Sequence, residues 1–206
     1  MNKTDVKMVL SELETFDTPD PELEQYPTPP TVAADMVNRL ALDCDGDSVI
    51  DLGTGTGILA IGAALQGFSV TGYDIDASAL SRATDNADHV KEQYPSIDVS
   101  FEHSPIDAIT ATADAVIMNP PFGIQQTDAN TAFLSTAFET APLVYALLHQ
   151  SRSSPAETRK FIKEYALQHS FEARIVADYE LDLPRSMAFH DNDQYTIRAD
   201  LYRFTR

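Results

Sequence analysis

Cysteine, basic side chains and long apolar runs are all scarce in this 206-residue chain. The single cysteine, Cys44, excludes an internal disulfide and a zinc site built from cysteines, and we expect no bound metal. No apolar run approaches the ~20 residues that a membrane-spanning helix needs. The first residues are polar and acidic and lack the apolar core of a signal peptide. The sequence therefore predicts a cytoplasmic protein that does not bind a membrane.

Basic residues are outnumbered by acidic ones. There are 14 Lys and Arg against 32 Asp and Glu, which gives a net charge of −18. Negative charge spread over a surface destabilises the folded state unless salt screens it, as in halophilic proteins. This composition favours a protein from a high-salt cytoplasm. Molar salt also screens attraction to phosphate, so the acidity does not argue against a nucleic-acid partner.

The hydrophobic periodicity predicts an α/β fold. We expect an amphipathic helix over 3–13, an extended proline-rich stretch over 17–30, and a helix capped by Thr31 that runs to about Leu42. Strands are predicted over 48–52, 69–73, 97–102, 115–118, 143–148, 171–181 and 194–204, and further helices over 58–66, 77–93, 131–140 and 155–169. The last two strands have no helix between them. The order indicates a seven-stranded doubly wound sheet with a terminal antiparallel hairpin.

A polar and aromatic motif ends the fourth predicted strand. Ala115 to Met118 are small or apolar, and the two prolines that follow Asn119 cannot continue a hydrogen-bonded ladder. Asn119, the carbonyl of Pro120 and the ring of Phe122 are thus left at the carboxyl edge, where open parallel sheets bind ligands. An amide acceptor, a carbonyl and an aromatic face together suit a planar amino group.

A glycine loop follows the first predicted strand, with Gly53, Gly55 and Gly57 before a helix. Glycines let the backbone turn tightly and approach a ligand over the helix N-terminus. Asp51, just before the loop, disfavours a pyrophosphate there, and Asp74 follows the second strand, where a carboxylate can hold two ribose hydroxyls.

A nucleoside that carries an ammonium group and no phosphate fits both acids, and S-adenosylmethionine is such a molecule. Two alternatives remain open. The acid and glycines could simply cap and turn a plain α/β protein. A nicotinamide-dependent oxidoreductase is the other, although Gly55 to Ala60 fits only the looser form of its glycine pattern.

These motifs resemble those of class I, Rossmann-like amino-methyltransferases, in particular Asp51-Leu-Gly-Thr-Gly-Thr-Gly57 and Asn119-Pro-Pro-Phe122. Further stretches narrow the resemblance to the methyltransferase-like protein 5 family. They are Leu23-Glu-Gln-Tyr-Pro-Thr28, Asp74-Ile-Asp76, Val116 to Gly123, 182–184 and 187–190. Eukaryotic members of that family modify N6 of one adenosine in small-subunit ribosomal RNA. The resemblance implies that activity here, within a single domain spanning 1–206.

The same resemblance assigns roles to individual residues. Gln25, Tyr26 and Thr28 would close over the cofactor, so that segment 1–30 covers a core formed by 31–206. The other implied cofactor residues are Asp51, Gly53, Gly55, Thr56, Ile58, Asp74, Ser104 and Asn119. The family's acidic residue after the third strand has no clear equivalent in His103-Ser-Pro-Ile-Asp107. Ser104 or a neighbouring backbone N–H would serve instead, with Asp107 as a further candidate.

The catalytic residues implied are Asn119, Pro120, Pro121 and Phe122. The Asn119 side-chain oxygen and the Pro120 carbonyl would accept the two N6–H bonds, and Phe122 would stack on the base. His190 is interpreted as an RNA contact, a base or a loop residue without a role.

RNA contacts and a protein partner are expected on weaker grounds. The lysines that related sequences carry after the Asn-Pro-Pro-Phe and Phe-His motifs are replaced here by 125–128 and 191–193. A basic cluster, Arg152, Arg159, Lys160 and Lys163, is either an RNA footprint or a solvated helix face. Family members work with a small zinc-binding methyltransferase activator, so the resemblance implies such a partner.

Three other functions are compatible with parts of the site. A protein glutamine N5-methyltransferase would present the same planar amide, but usually carries Asn-Pro-Pro-Tyr and an extra helical domain. A DNA adenine methyltransferase would usually need a target-recognition domain. A non-catalytic ribosome-assembly factor that binds the cofactor is the alternative that is not an enzyme.

Overall fold

A seven-stranded sheet forms the centre of the protein. The computed structural model describes residues 1–17, 19–20, 23, 25–121, 129–151, 153–183 and 195–206. The strands are β1 (Ser48–Leu52), β2 (Ser69–Asp74), β3 (Asp98–His103), β4 (Ala115–Met118), β5 (Leu143–His149), β6 (Glu172–Leu183) and β7 (Tyr195–Thr205). They lie in the order β3-β2-β1-β4-β5-β7-β6, and β7 runs antiparallel to both neighbours. The predicted doubly wound sheet with a terminal antiparallel pair is confirmed.

Helices cover both faces of the sheet. They are α1 (Lys3–Leu10), α2 (Pro30–Asp43), α3 (Ile58–Leu65), α4 (Ala77–Gln93), α5 (Ala129–Thr140) and α6 (Pro155–Gln168), with a short 3₁₀ helix over Ile106–Ala108. Side chains alternate across β4. Ala115 and Ile117 join the core beneath α1 to α4, whereas Val116 and Met118 join the core beneath α5 and α6. No helix of the described residues is long and apolar enough to cross a bilayer.

Two predicted helix ends are wrong. The first helix stops at Leu10, and the Ser11 hydroxyl donates back to the carbonyl of Lys7 at 2.6 Å. The second helix begins at Pro30 without a side-chain cap, so Thr31 lies inside its first turn. Proline is favourable at that first position because its fixed φ suits a helix and its missing N–H would be unpaired there anyway.

The sheet order places a crevice beside β1. β1 pairs with β2 on one side and with β4 on the other. The strand order therefore runs from β1 towards one edge of the sheet through β2 and towards the other edge through β4, so it reverses at β1. Ligands of open α/β sheets bind at such a reversal, outside the carboxyl ends of the strands. The glycine loop and Asn119 both lie there.

Candidate active site

A cavity of about 340 Å³ opens at the carboxyl ends of β1, β2 and β4. This volume is within the range of small-molecule sites. The cavity wall contains most of the residues that the family resemblance assigned to the cofactor or to catalysis, and these are Gln25, Tyr26, Thr28, Gly53, Gly55, Thr56, Ile58, Asp74, Ser104, Asn119 and Pro121. Asp51, Pro120 and Asp107 are not on that wall.

The glycine loop needs its glycines for two physical reasons. Gly53, Gly55 and Gly57 have φ of 70°, 54° and 87°, a region that side chains disfavour. A Cβ at Gly55 would also lie 3.0 Å from the ring of Phe16, and one at Gly53 would lie 3.0 Å from the ring of Phe133. The loop backbone is thus held close to two aromatic rings that border the cavity.

Asp51 lies beneath the loop and is fully buried. Its Oδ2 accepts hydrogen bonds from the Thr54 hydroxyl at 2.7 Å and from the Ala60 amide, in the first turn of α3, at 3.0 Å. Burial raises the pKa of Asp51 to about 7, although these two hydrogen bonds act to lower it. The carboxyl group therefore joins the loop to the helix start and does not form part of the cavity wall.

Asp74 lies on the cavity wall and fixes the loop from the other side. Its Oδ2 accepts from the Gly55 amide at 2.7 Å, and its Oδ1 accepts from the Asp76 amide at 2.9 Å. Burial raises the pKa of this carboxyl group. A carboxylate has about four acceptor sites, more than the backbone N–H groups that it accepts from here, so the side chain can still accept a hydrogen bond from a ligand hydroxyl.

The described residues between α1 and α2 (11–17, 19–20, 23 and 25–29) include several that line the cavity, and we call these described residues the N-terminal strap. Asn86 of α4, only 4% exposed, accepts from the Glu14 amide at 3.0 Å and donates to the carbonyls of Glu14 and Thr56, both at 2.9 Å. Gln25 Nε2 donates to Asp76 at 2.7 Å. The strap is therefore tied both to α4 and to the residues that follow β2.

Asn119 stands at the end of β4, where the two prolines stop the strand. Its Nδ2 donates to the Thr28 hydroxyl of the strap at 2.8 Å. Its Oδ1 is buried and has no hydrogen-bond partner among the described residues. The prolines differ, since Pro121 lines the cavity, whereas Pro120 is buried and does not line it. Phe122 lies outside the described residues.

The region after β3 is apolar where the family pattern has an acid. The Ser104 amide already donates to the Asp74 carbonyl at 3.0 Å, so this N–H is not free for a ligand. Asp107 is exposed. The wall is formed instead by Pro105, Ile106 and Ile109.

The aromatic residues of the cavity wall that sequence reasoning missed include Phe16 and Phe133. Phe16 is the first aromatic residue of the chain and lies in a polar, acidic stretch. A large apolar side chain in such a stretch indicates that it packs against the folded domain, and this signal could have identified it. Phe133 lies within α5, after the motif that ends β4. In the sequence it is one apolar residue of a predicted helix, which indicates a core residue and not a ligand contact. Both line the cavity.

The predicted RNA cluster separates into different environments. The Arg159 guanidinium makes two hydrogen bonds of 2.8 Å to Asp200, a carboxylate that is 1% exposed and also accepts from Gln150 at 2.6 Å. Arg159 thus neutralises a buried charge and is not a free surface cation. Lys160 and Lys163 are exposed. Arg152 and His190 lie outside the described residues.

Comparison with known proteins places the whole chain in one family. A model of the ribosomal protein L11 methyltransferase (PrmA) family matches residues 33–120. The rRNA N(6)-adenosine-methyltransferase METTL5 of Danio rerio is 34% identical over 100% of this chain and 99% of its own length. Its namesake in Drosophila melanogaster is 31% identical over 95% and 92%. A crystal structure of a candidate RNA methyltransferase from Pyrococcus horikoshii superposes with a TM-score of 0.85 at 30% identity, covering 99% of this chain and 96% of that one. The chain belongs to the rRNA N(6)-adenosine-methyltransferase family.

Proposed function

We propose that this chain transfers the methyl group of S-adenosylmethionine to N6 of an adenosine in small-subunit ribosomal RNA, in the cytoplasm. The observation that carries the proposal is the unpaired, buried Oδ1 of Asn119 at the cavity wall. A buried acceptor without a partner is costly, so such groups are expected where a ligand donor completes them. The amino group of adenine is a donor of that kind.

The cavity wall has the chemistry that the cofactor requires. Asp74 is available for ribose hydroxyls, and Ile106, Ile109 and Phe133 offer apolar contact to a flat base. No Lys, Arg or His is found among the described residues of the wall, which suits a cationic nucleoside that has no phosphate. When bound, the cofactor supplies an electrophilic methyl group on its sulfonium.

The protein contributes mainly position and hydrogen bonding, because methyl transfer is an in-line displacement. The adenine N6 lone pair is delocalised into the ring and is a poor nucleophile. We assign one N6–H bond to Asn119 Oδ1 on the cavity wall and, on family resemblance alone, the other to the Pro120 carbonyl; this pair favours a pyramidal nitrogen with its lone pair directed at the methyl group. The family resemblance assigns Phe122 to stacking on the base, a contact worth ~1–3 kcal/mol in other base–aromatic pairs. The adenosine must leave its stack to enter the site. After transfer, solvent takes the proton of the alkylated nitrogen.

Replacement of Asn119 tests this function. We expect Asn119→Ala to lower label transfer from S-adenosylmethionine to small-subunit rRNA by about 10²-fold or more, because an acceptor aimed at the reacting group is lost. Asn38→Ala on α2, outside the cavity wall, is the matched control and should transfer normally. Near-normal transfer by a folded Asn119→Ala variant would remove Asn119 from the mechanism, and no transfer by the wild-type chain would count against the function itself.

Two further roles complete the proposal. Lys160 and Lys163, both exposed on α6, are assigned to RNA phosphate. A small zinc-binding activator protein is assigned as a partner on family resemblance alone. A monodisperse chain that is fully active when purified alone would contradict the need for that partner.

A further inference from the structure

We propose that the part of the cavity beside β3 binds the purine of the cofactor by apolar contact and does not read its exocyclic amino group. The site would then also accept analogues of S-adenosylmethionine and S-adenosylhomocysteine that are altered at this group. The inference rests on the proposed function, because it takes S-adenosylmethionine as the ligand of the cavity. It concerns the residues after β3, where the acidic residue of the family pattern has no clear equivalent.

The order of the strands indicates where the purine lies. β4, β1, β2 and β3 are successive neighbours in the sheet, with Asn119 after β4, Asp74 at the end of β2 and Ser104 after β3. With the reacting methyl group at Asn119 and the ribose at Asp74, the base continues beyond β2 towards β3. It then meets the part of the wall that we call the base end, which is formed by Ser104, Pro105, Ile106 and Ile109.

Backbone carbonyls at the base end already have donors within the protein. The Pro105 carbonyl accepts from the Ser104 hydroxyl and from the Ala108 amide, both at 3.1 Å. The Ile106 carbonyl accepts from the Thr136 hydroxyl of α5 at 3.2 Å. An amino group is a donor and needs an acceptor, and a carbonyl oxygen has two lone pairs. Pro105 therefore has none left for the ligand, and the Ile106 carbonyl is directed at α5.

The side chains of the base end offer only a weak acceptor. Pro105, Ile106 and Ile109 are apolar, and Ser104 supplies a neutral hydroxyl where the family pattern has a carboxylate. Asp107 is exposed and does not line the cavity. A charged acceptor makes a hydrogen bond roughly twice as strong as a neutral one does. The described side chains thus supply no strong selection for an amino group.

Apolar contact binds the base instead. Ile106 and Ile109 are half-buried and pack, like Phe133, against the core beneath α5 and α6. Phe133 lines the same cavity. The free energy of such contact follows the apolar area that is covered and has no preferred direction. It therefore does not distinguish a purine that carries the amino group from one that lacks it.

The two probes are S-adenosylhomocysteine and an analogue in which hydrogen replaces the exocyclic amino group. Calorimetry on the wild-type chain should give Kd values within about threefold of each other, because at most a weak neutral hydrogen bond is lost. Ser104→Asp places a carboxylate acceptor at the base end. We expect this variant to prefer the amino compound by about tenfold or more, since its acid has no donor in the analogue. Ile109→Ala should weaken both ligands by about fivefold at an unchanged ratio.

Three results would overturn the inference. A wild-type preference for S-adenosylhomocysteine of about tenfold or more would show that the amino group is read. An unchanged ratio in Ser104→Asp would show that the purine does not lie at the base end, and unchanged affinities in Ile109→Ala would exclude the apolar contact. Circular dichroism checks folding, and Ser104→Asn and Ile109→Val are milder replacements with the same expected directions. A wild-type chain that binds neither S-adenosylmethionine nor S-adenosylhomocysteine would instead overturn the proposed function.

Discussion

Asp51 holds a carboxyl group beneath the glycine loop in surroundings that make it responsive to pH near neutrality. The side chain is fully buried, and only one of its two oxygens has a hydrogen-bond partner among the described residues. Burial raises its pKa from 3.8 to about 7. The loop that faces the proposed cofactor is thus built over an acid that changes its charge within the physiological range.

Stability should depend on this group between about pH 4 and pH 7. Folded Asp51 keeps its proton up to about pH 7, whereas the unfolded chain releases it near 3.8. Its favourable contribution is therefore fully present below pH 4 and is lost as pH rises to 7, because the folded state binds the extra proton. The measured quantity is the difference in the free energy of unfolding between wild type and Asp51→Asn. As pH rises across this window, wild type should lose a few kcal/mol relative to the variant, and the difference should stay constant above it. Urea unfolding of both proteins from pH 4.5 to 8.5 measures the difference, and a flat difference would contradict the raised pKa.

Residue types and their local spacing identified most of the cavity wall, but not the contacts across the fold. The glycines, Asp74 and Asn119 stand out because each follows a predicted strand. That Asn119 meets Thr28, and that Arg159 meets Asp200 across 41 residues, depends on tertiary packing which no spacing encodes. The sequence of its own helix therefore predicts that Arg159 is a surface cation, although its partner in the structure is a buried carboxylate.

Among the secondary-structure elements, those with strong end signals were predicted best. β4 ends at Met118 as predicted, since two prolines follow Asn119. α4 runs over Ala77–Gln93 as predicted, with the Asp76 side chain accepting from the Ser78 amide at its start. The strap was harder, because its prolines indicate an extended linker and its anchor, Asn86, is an ordinary helical residue in the sequence. Its covering role was implied only by family resemblance.

The strap should loosen when Asn86 is replaced. Asn86→Ala removes three hydrogen bonds that tie Glu14 to the glycine loop through the carbonyl of Thr56. We expect S-adenosylmethionine to dissociate about tenfold faster, and the strap to be cleaved faster in limited proteolysis, because lost buried hydrogen bonds cost ~1–3 kcal/mol. Stopped-flow release of the cofactor and mass spectrometry of the fragments measure the two effects. Faster cleavage at an unchanged release rate would separate the strap from cofactor retention, and Asn38→Ala again serves as the control.

At the scale of the whole molecule, the charge balance decides how the chain responds to salt. Acidic residues exceed basic ones by 32 − 14 = 18. Some bases are also committed to internal pairs, such as Arg159 with the buried Asp200 and Arg82 with Asp17 at 2.6 Å. Each of these pairs is neutral as a whole. The surplus negative charge therefore belongs to acidic side chains that have no basic partner, and these repel one another. That residues 1–206 form a single domain stays a prediction. Within such a domain, the repulsion between acidic residues would act on the folded state as a whole.

Salt should therefore stabilise the folded chain. The screening length falls from about 10 Å at 0.1 M to about 3 Å at 1 M, which weakens repulsion between exposed acids most. The ion pair between Arg159 and Asp200 is screened less, because Asp200 is 1% exposed. We expect the melting temperature to rise by about 5 °C or more between 0.1 M and 2 M KCl, which corresponds to roughly 2 kcal/mol for a chain of this size.

A charge-reduced variant separates screening from a general salt effect on apolar surface. Asp45, Asp88 and Glu92 are exposed, so Asp45→Asn, Asp88→Asn and Glu92→Gln together remove three negative charges with little change in shape. If repulsion is the cause, this variant should melt higher than wild type at 0.1 M KCl and gain less from added salt. Equal gains in both proteins would assign the effect to apolar burial, which salt also strengthens. A melting temperature that does not rise with KCl would contradict the high-salt adaptation predicted from composition.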